Sequence, residues 1–398
     1  MAKSRRARSL QKQWDPTPHP IRMTAHAPML ASFWIAGFDG TDHVPGLAAK
    51  GMHDIDAYRR RVEADYDGVR DAGVECVRES VGWRSGASDF QSAIVRAQCA
   101  RRAGLQVVWT LCHAGWPADV DVASPAFVER FRDFAGAAAR ALAPYAGGRA
   151  PVFTPVNEIS FLSWALAETS LFGVQRSDLR HRGYEIKQQL VRAALAGCDA
   201  ILEVHPGARF LHRDATMIVG APADDHRRDA QFESWDMLVG RLEPQLGGHA
   251  RYIDAIDVHC HHTGAGRGAS PAPSSSSAGL PAGSLPRLLE DVHARYGCPV
   301  VVSETNRTGS GRAAWLREFG EEIGEALARG VPLIGASLCR VVERAAWEDP
   351  RCWRGRRLWD VLLDGGDDLP RVANSAYEHA LRDVKARVAP LLAHSHRR

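Results

Sequence analysis

The sequence contains no Cys-x-x-Cys pair and no segment with the short apolar core of a secretion signal. Nor does any run approach the ~18 apolar residues of a membrane span. The first absence fits reduced, unpaired thiols. The others argue against a secretory leader and a membrane partner. The eight cysteines, Cys76, Cys99, Cys112, Cys198, Cys260, Cys298, Cys339 and Cys352, are dispersed, several of them inside apolar runs. Buried thiols in a reducing compartment show that usage, and a disulfide framework does not. The expected location is the cytoplasm. Excess charge of one sign is also scarce: the net charge is +3 over 398 residues. Much of it lies in the opening MAKSRRARSLQKQW and the closing HSHRR. Residues 1–20 and 391–398 are therefore expected to be polar tails. The body carries no basic stripe with interleaved aromatics, so no nucleic-acid partner is expected. There is no internal repeat, and no Gly-x-Gly-x-x-Gly turn follows the first apolar run, which disfavours an open dinucleotide-binding sheet.

What is present is an alternation. Short apolar runs at Met29–Gly37, Val74–Arg78, Gln106–Cys112, Val152–Val156, Arg209–His212, Ile253–His259, Pro299–Ser303 and Pro332–Leu338 read as strands. Amphipathic stretches at Asp56–Ala72, Asp89–Ala103, Pro125–Leu142, Gly183–Val204, Asp229–Arg241, Leu285–Tyr296, Arg312–Ala328 and Ser375–Val388 read as helices. Strand then helix, eight times, predicts an α/β fold: one (β/α)8 TIM barrel over residues 21–390. The Ser/Pro/Gly-rich stretch 264–284 is expected to be a mobile loop after the sixth strand.

In such barrels the chemistry sits where the strands end. The second strand leads into Arg78, Glu79, Ser80 and Trp83, and the third into His113 and Trp116. The fourth ends at Asn157–Glu158, the sixth at His259, His261 and His262, and the seventh at Glu304, followed by Asn306. The eighth is followed by Glu343 and Trp347. A carboxylate straight after a strand can serve merely as a helix N-cap or a solvated loop residue. Two of them, on opposite strands of one barrel, suit glycosidic bond cleavage, with Glu158 as acid/base and Glu304 as nucleophile. Asn157 would bind a sugar hydroxyl. Arg78 is either a structural ion-pair member or the charge that keeps Glu304 ionised. Trp83, Trp116 and Trp347 are candidate stacking platforms, and His113 a candidate hydroxyl ligand. No cofactor and no metal are implied.

These motifs resemble the clan A (β/α)8 retaining glycoside hydrolases, and among them a divergent family 1 β-glycosidase. The residues concerned are Arg78-Glu79-Ser80-Val81-Gly82-Trp83, Thr110-Leu111-Cys112-His113 with Trp116-Pro117, Thr154-Pro155-Val156-Asn157-Glu158, and Ser303-Glu304-Thr305-Asn306. The resemblance runs from Phe33 to Trp347. It implies hydrolysis of a β-linked glycoside by double displacement with two glutamates. Departures fall on sugar-binding positions. His259-Cys260-His261 stands where the family has Asn-Tyr-Tyr, with a histidine taking the tyrosine's contact to the nucleophile. Asp39 stands near the position of the first-strand glutamine. Glu343-Arg344 replaces a Glu-Trp pair.

Three other readings compete. A transglycosylase or a carbohydrate-binding barrel would use the same site. A metal-dependent hydrolase would enlist His259 and His261, which alternation places on one face, but it would also want ligands from the first strand, where no His-x-His occurs.

Overall fold

The computed structural model describes residues 28–38, 55–84, 90–113, 115–171, 177–217, 229–261, 284–305, 311–339, 341–342, 359–361 and 371–395. The segment 1–20 and all but the end of 264–284 lie outside them.

The described elements are β1 (Trp34–Gly37), α1 (Ile55–Asp71), β2 (Cys76–Ser80), α2 (Gln91–Ala103), β3 (Gln106–Cys112), α3 (Pro125–Leu142), β4 (Val152–Val156), α4 (Ile159–Glu168), α5 (Gly183–Val204), β5 (Arg209–Met217), α6 (Glu233–Leu238), β6 (Ala255–His261), α7 (Ser284–Tyr296), β7 (Val300–Thr305), α8 (Arg312–Ala328), β8 (Leu333–Cys339), β9 (Trp359–Val361), β10 (Arg371–Ala373) and α9 (Ser375–Ser395). Strands β1 to β8 form a closed barrel, each parallel to the next, with β8 returning to β1 through Trp34↔Ala336.

Local chemistry explains the helices. Pro125 opens α3 at a position that needs no N–H, and Phe127, Phe131, Ala138 and Leu142 recur at helical spacing on its buried face. Gly104 ends α2 at φ 70°, where a glycine carries no Cβ penalty, and its N–H reaches the last carbonyls. Lys385 of α9 donates to the carbonyls of Ala72 and Gly73, both at 2.7 Å, just past the end of α1. The last helix thereby caps the first.

Inside the barrel, each of β1 to β7 contributes one residue to an apolar floor: Ile35, Cys76, Val108, Val152, Leu211, Ala255 and Val301, with Leu30 as a plug. Strand β8 contributes Gly335, where a methyl group would stand 2.9 Å from Leu30 Cδ1. Two residues further along a strand is the next inward position. There the character changes abruptly to Arg78, Thr110, Thr154, Arg213, Asp257, Ser303 and Ser337, all buried. The outward positions form a separate, larger core beneath the helices.

Several boundaries differ from expectation. β5 continues past His212 to Met217, and α6 is shorter than 229–241. Helix α4 and the antiparallel pair β9–β10 were not anticipated. The helix at the C-terminal side runs beyond residue 390 to Ser395, into the segment expected to be a tail. Pro390 removes one intrahelical donor, but Leu391 and Leu392 pack against the core and hold the turn.

Candidate active site

Glu158 follows β4 and occupies the N-cap position of α4. A capping residue normally has extended backbone, so its side chain can reach the first free N–H groups. Glu158 instead has φ 48° and ψ 59° and makes no side-chain cap bond. Left-handed backbone costs a non-glycine residue roughly 1–2 kcal/mol. Here it is held by the Glu158 N–H, which donates to the carbonyl of Arg213 at 3.0 Å. The carboxyl points elsewhere: His259 Nδ1 on β6 is hydrogen-bonded to Glu158 Oε1 at 2.7 Å. Glu158 is 8% exposed, so it is largely shielded without being sealed. The capping explanation for this carboxylate therefore fails.

Below it lies a set of buried charges. Arg78 Nη1 contacts Asp257 Oδ2 at 3.1 Å. Arg213 Nε stands 3.6 Å from Glu158 Oε1 and 3.9 Å from Asp257 Oδ2. The ion-pair expectation for Arg78 is thus met by Asp257. Neighbouring Glu79 faces the opposite way, as alternation requires, and binds Arg96 and Tyr66 beneath the helices.

Asn157 is buried beside Glu158, its N–H bonded to the Cys112 carbonyl, and its Oδ1 has no hydrogen-bond partner among the described residues. His113 is buried at the end of β3. Trp116 is half-buried and meets Phe127 edge-on, with ring centroids 5.2 Å apart. Trp83 is a correction: it lies in the core against Phe127, Phe131 and Phe134, and is no sugar platform. Backbone pairing sets Glu304 beside Cys260 of β6 and Leu338 of β8. The side chains of Glu304 and His261 lie outside the described residues, as do Asp39, Asn306, Glu343 and Trp347.

Sequence reasoning missed Arg213, Asp214 and Asp257. Asp257 was visible as a polar residue inside an apolar strand run, whereas Arg213 and Asp214 belong to the consecutive polar run His212–Asp214, which shows no alternation.

Asp214 does the capping that Glu158 does not. Both of its carboxylate oxygens accept from the Ser160 N–H, at 3.0 and 3.1 Å, in the first turn of α4. It also accepts from the Ala215 N–H at 2.8 Å and from the Ser234 hydroxyl of α6. Burial raises its pKa above the usual carboxylate range, while the Ser234 and Ser160 hydrogen bonds oppose that shift.

No family model matches the chain. No curated protein matches it either. Solved structures do. The chain is similar to the β-glycosidase of Thermosphaera aggregans at 14% identity and TM-score 0.69, over 92% of this chain and 99% of that one. It is similar to a Thermotoga maritima β-glucosidase in complex with methoxycarbonyl-substituted glucoimidazole at 12% identity and TM-score 0.70, over 90% and 98%. The same fold occurs in the AHE enzyme of Alicyclobacillus herbarius, at 12% identity and TM-score 0.70, over 91% and 100%. At these identities the likeness establishes the fold, a (β/α)8 barrel along nearly the whole length.

Proposed function

We propose that the chain is a retaining glycoside hydrolase, with Glu158 as acid/base and Glu304 as nucleophile. The observation that carries this reading is the release of Glu158 from its expected structural task. A buried carboxyl at the mouth of the barrel, in a costly backbone conformation, is held by a histidine and not by the helix it precedes. Backbone strain of this kind concentrates at functional sites.

In the first half-reaction the Glu304 carboxylate attacks the anomeric carbon, and Glu158 gives its proton to the departing oxygen. In the second, Glu158 takes a proton from water, whose oxygen displaces Glu304 with net retention. The contact to His259 suits both halves. A protonated Nδ1 donates to the carboxylate, and an unprotonated one accepts from the carboxyl. The buried Asn157 Oδ1 offers an acceptor to a sugar hydroxyl. His113 and Trp116, with Asp39, His261, Asn306, Glu343 and Trp347, are the proposed surroundings of the sugar.

The similar structures named above include a β-glucosidase and a β-glycosidase, so aryl β-glucosides and β-galactosides are the first probes. A 2-deoxy-2-fluoro glycoside of the accepted sugar should leave a glycosyl label on the peptide containing Glu304. Label elsewhere, or a product of inverted anomeric configuration by NMR, would refute the mechanism. Glu304→Ala should abolish turnover, and azide should restore it as the inverted glycosyl azide.

We also propose a reducing, cytoplasmic location. It is supported by burial of Cys76 and Cys298, which pushes both thiols up to about 12 and leaves them unreactive. Among the described residues no helix is long and apolar enough to cross a membrane.

A further inference from the structure

We infer that Asp214 is a positioning residue for Glu158: by capping α4 in its place, it frees the Glu158 carboxyl for proton transfer. This rests on the function proposed above.

The chain of contacts is short. β5 grips the start of α4 at two successive residues. The Arg213 carbonyl takes the Glu158 N–H, and the Asp214 carboxylate takes the Ser160 N–H. Glu158 is the N-cap and Ser160 lies two residues inside the helix, where a capping side chain normally bonds. A helix start left without an acceptor recruits its own N-cap side chain, and here that would be Glu158. The recruitment would require Glu158 to leave its left-handed conformation and turn its carboxyl from His259 toward the helix. Asp214 removes the incentive. Its negative charge also suits the positive end of the helix. The Ser234 hydroxyl, presented by α6, fixes the carboxylate from the far side. Asp214 is 1% exposed, so bulk water does not compete with it for these donors.

A purely structural role would lower every activity alike. A positioning role for the acid acts selectively, because protonation matters for a poor leaving group and hardly at all for a good one. The test measures kcat/KM, which reports glycosidic cleavage, on phenyl and 2,4-dinitrophenyl glycosides of the accepted sugar. Wild type, Glu158→Gln, Asp214→Ala, Asp214→Asn and Ser234→Ala are compared.

Glu158→Gln and Asp214→Ala should both lose phenyl glycoside cleavage selectively, Asp214→Ala by about 100-fold, as expected for a reacting group displaced by an ångström. Asp214→Asn keeps one acceptor oxygen and should recover part of that loss. Ser234→Ala should fall between Asp214→Asn and wild type, and it carries the test if Asp214→Ala does not fold. Equal losses on both leaving groups in the Asp214 and Ser234 variants, with Glu158→Gln still selective, would overturn this inference and leave the function standing. No selectivity in Glu158→Gln would overturn the function itself, and the inference with it.

Discussion

Two tiers of one barrel interior, a single strand step apart, are built from opposite materials. The floor is Ile35, Cys76, Val108, Val152, Leu211, Ala255 and Val301. The tier above is Arg78, Thr110, Thr154, Arg213, Asp257, Ser303 and Ser337. Both are buried, yet only the floor is of the kind that burial stabilises directly. Charges taken from water are costly unless closely paired. The upper tier therefore carries a cost that the lower one does not, and it carries it directly beneath Glu158. The contrast separates what holds the barrel together from what serves its mouth.

The comparison breaks most sharply at Asp257. Asp257→Leu removes the carboxylate between two buried guanidiniums and should cost about 3–5 kcal/mol by denaturant titration. The double variant Arg78→Met/Asp257→Leu should recover much of that stability while activity stays low. Recovery of both would show the tier to be dispensable. At floor level, Leu211→Ala should cost about 2–5 kcal/mol, but kcat/KM of the folded protein should stay near wild type. A large fall in kcat/KM would blur the two tiers.

His212 lies between Leu211 and Arg213 but faces outward, and it gives the strand a pH dependence. Its Nε2–H donates to the Tyr252 carbonyl at 2.8 Å, and burial lowers its pKa from 6.5 to about 4. Below pH 6.5 the unfolded chain takes the proton first, so stability is complete above that pH. It should fall by about 3 kcal/mol as the pH drops to about 4. Denaturation midpoints at pH 7 and pH 5 should converge in His212→Asn, and an unchanged slope would refute the assignment. The smallest effect is expected at Gly335→Ala, where overpacking against Leu30 should cost about 1–3 kcal/mol.

Much of this was legible in the sequence. β3 and β4 fall where the apolar runs place them, because a strand covered on both faces announces itself as continuous apolar sequence. Asn157 and Glu158 stood out as polar residues directly after such a run. The apolar run of β5 stops at His212, and Arg213-Asp214 resembles the start of a loop, although both lie in the strand and are buried. α4 escaped notice because its apolar residues run all round it and its capping carboxylate comes from another strand. The bond from His259 to Glu158 spans 101 residues, and only barrel closure brings its ends together.

The bridge from Lys385 to the end of α1 spans 313 residues. On the ribosome the N-terminal side of a chain emerges first. Until β8 and α9 follow, β1 has an open edge and the carbonyls after α1 lack their lysine. Such an edge invites pairing with foreign strands. The nascent barrel is thus a ring with its clasp at the far end, and its most vulnerable interval is set by the time translation takes to reach that clasp.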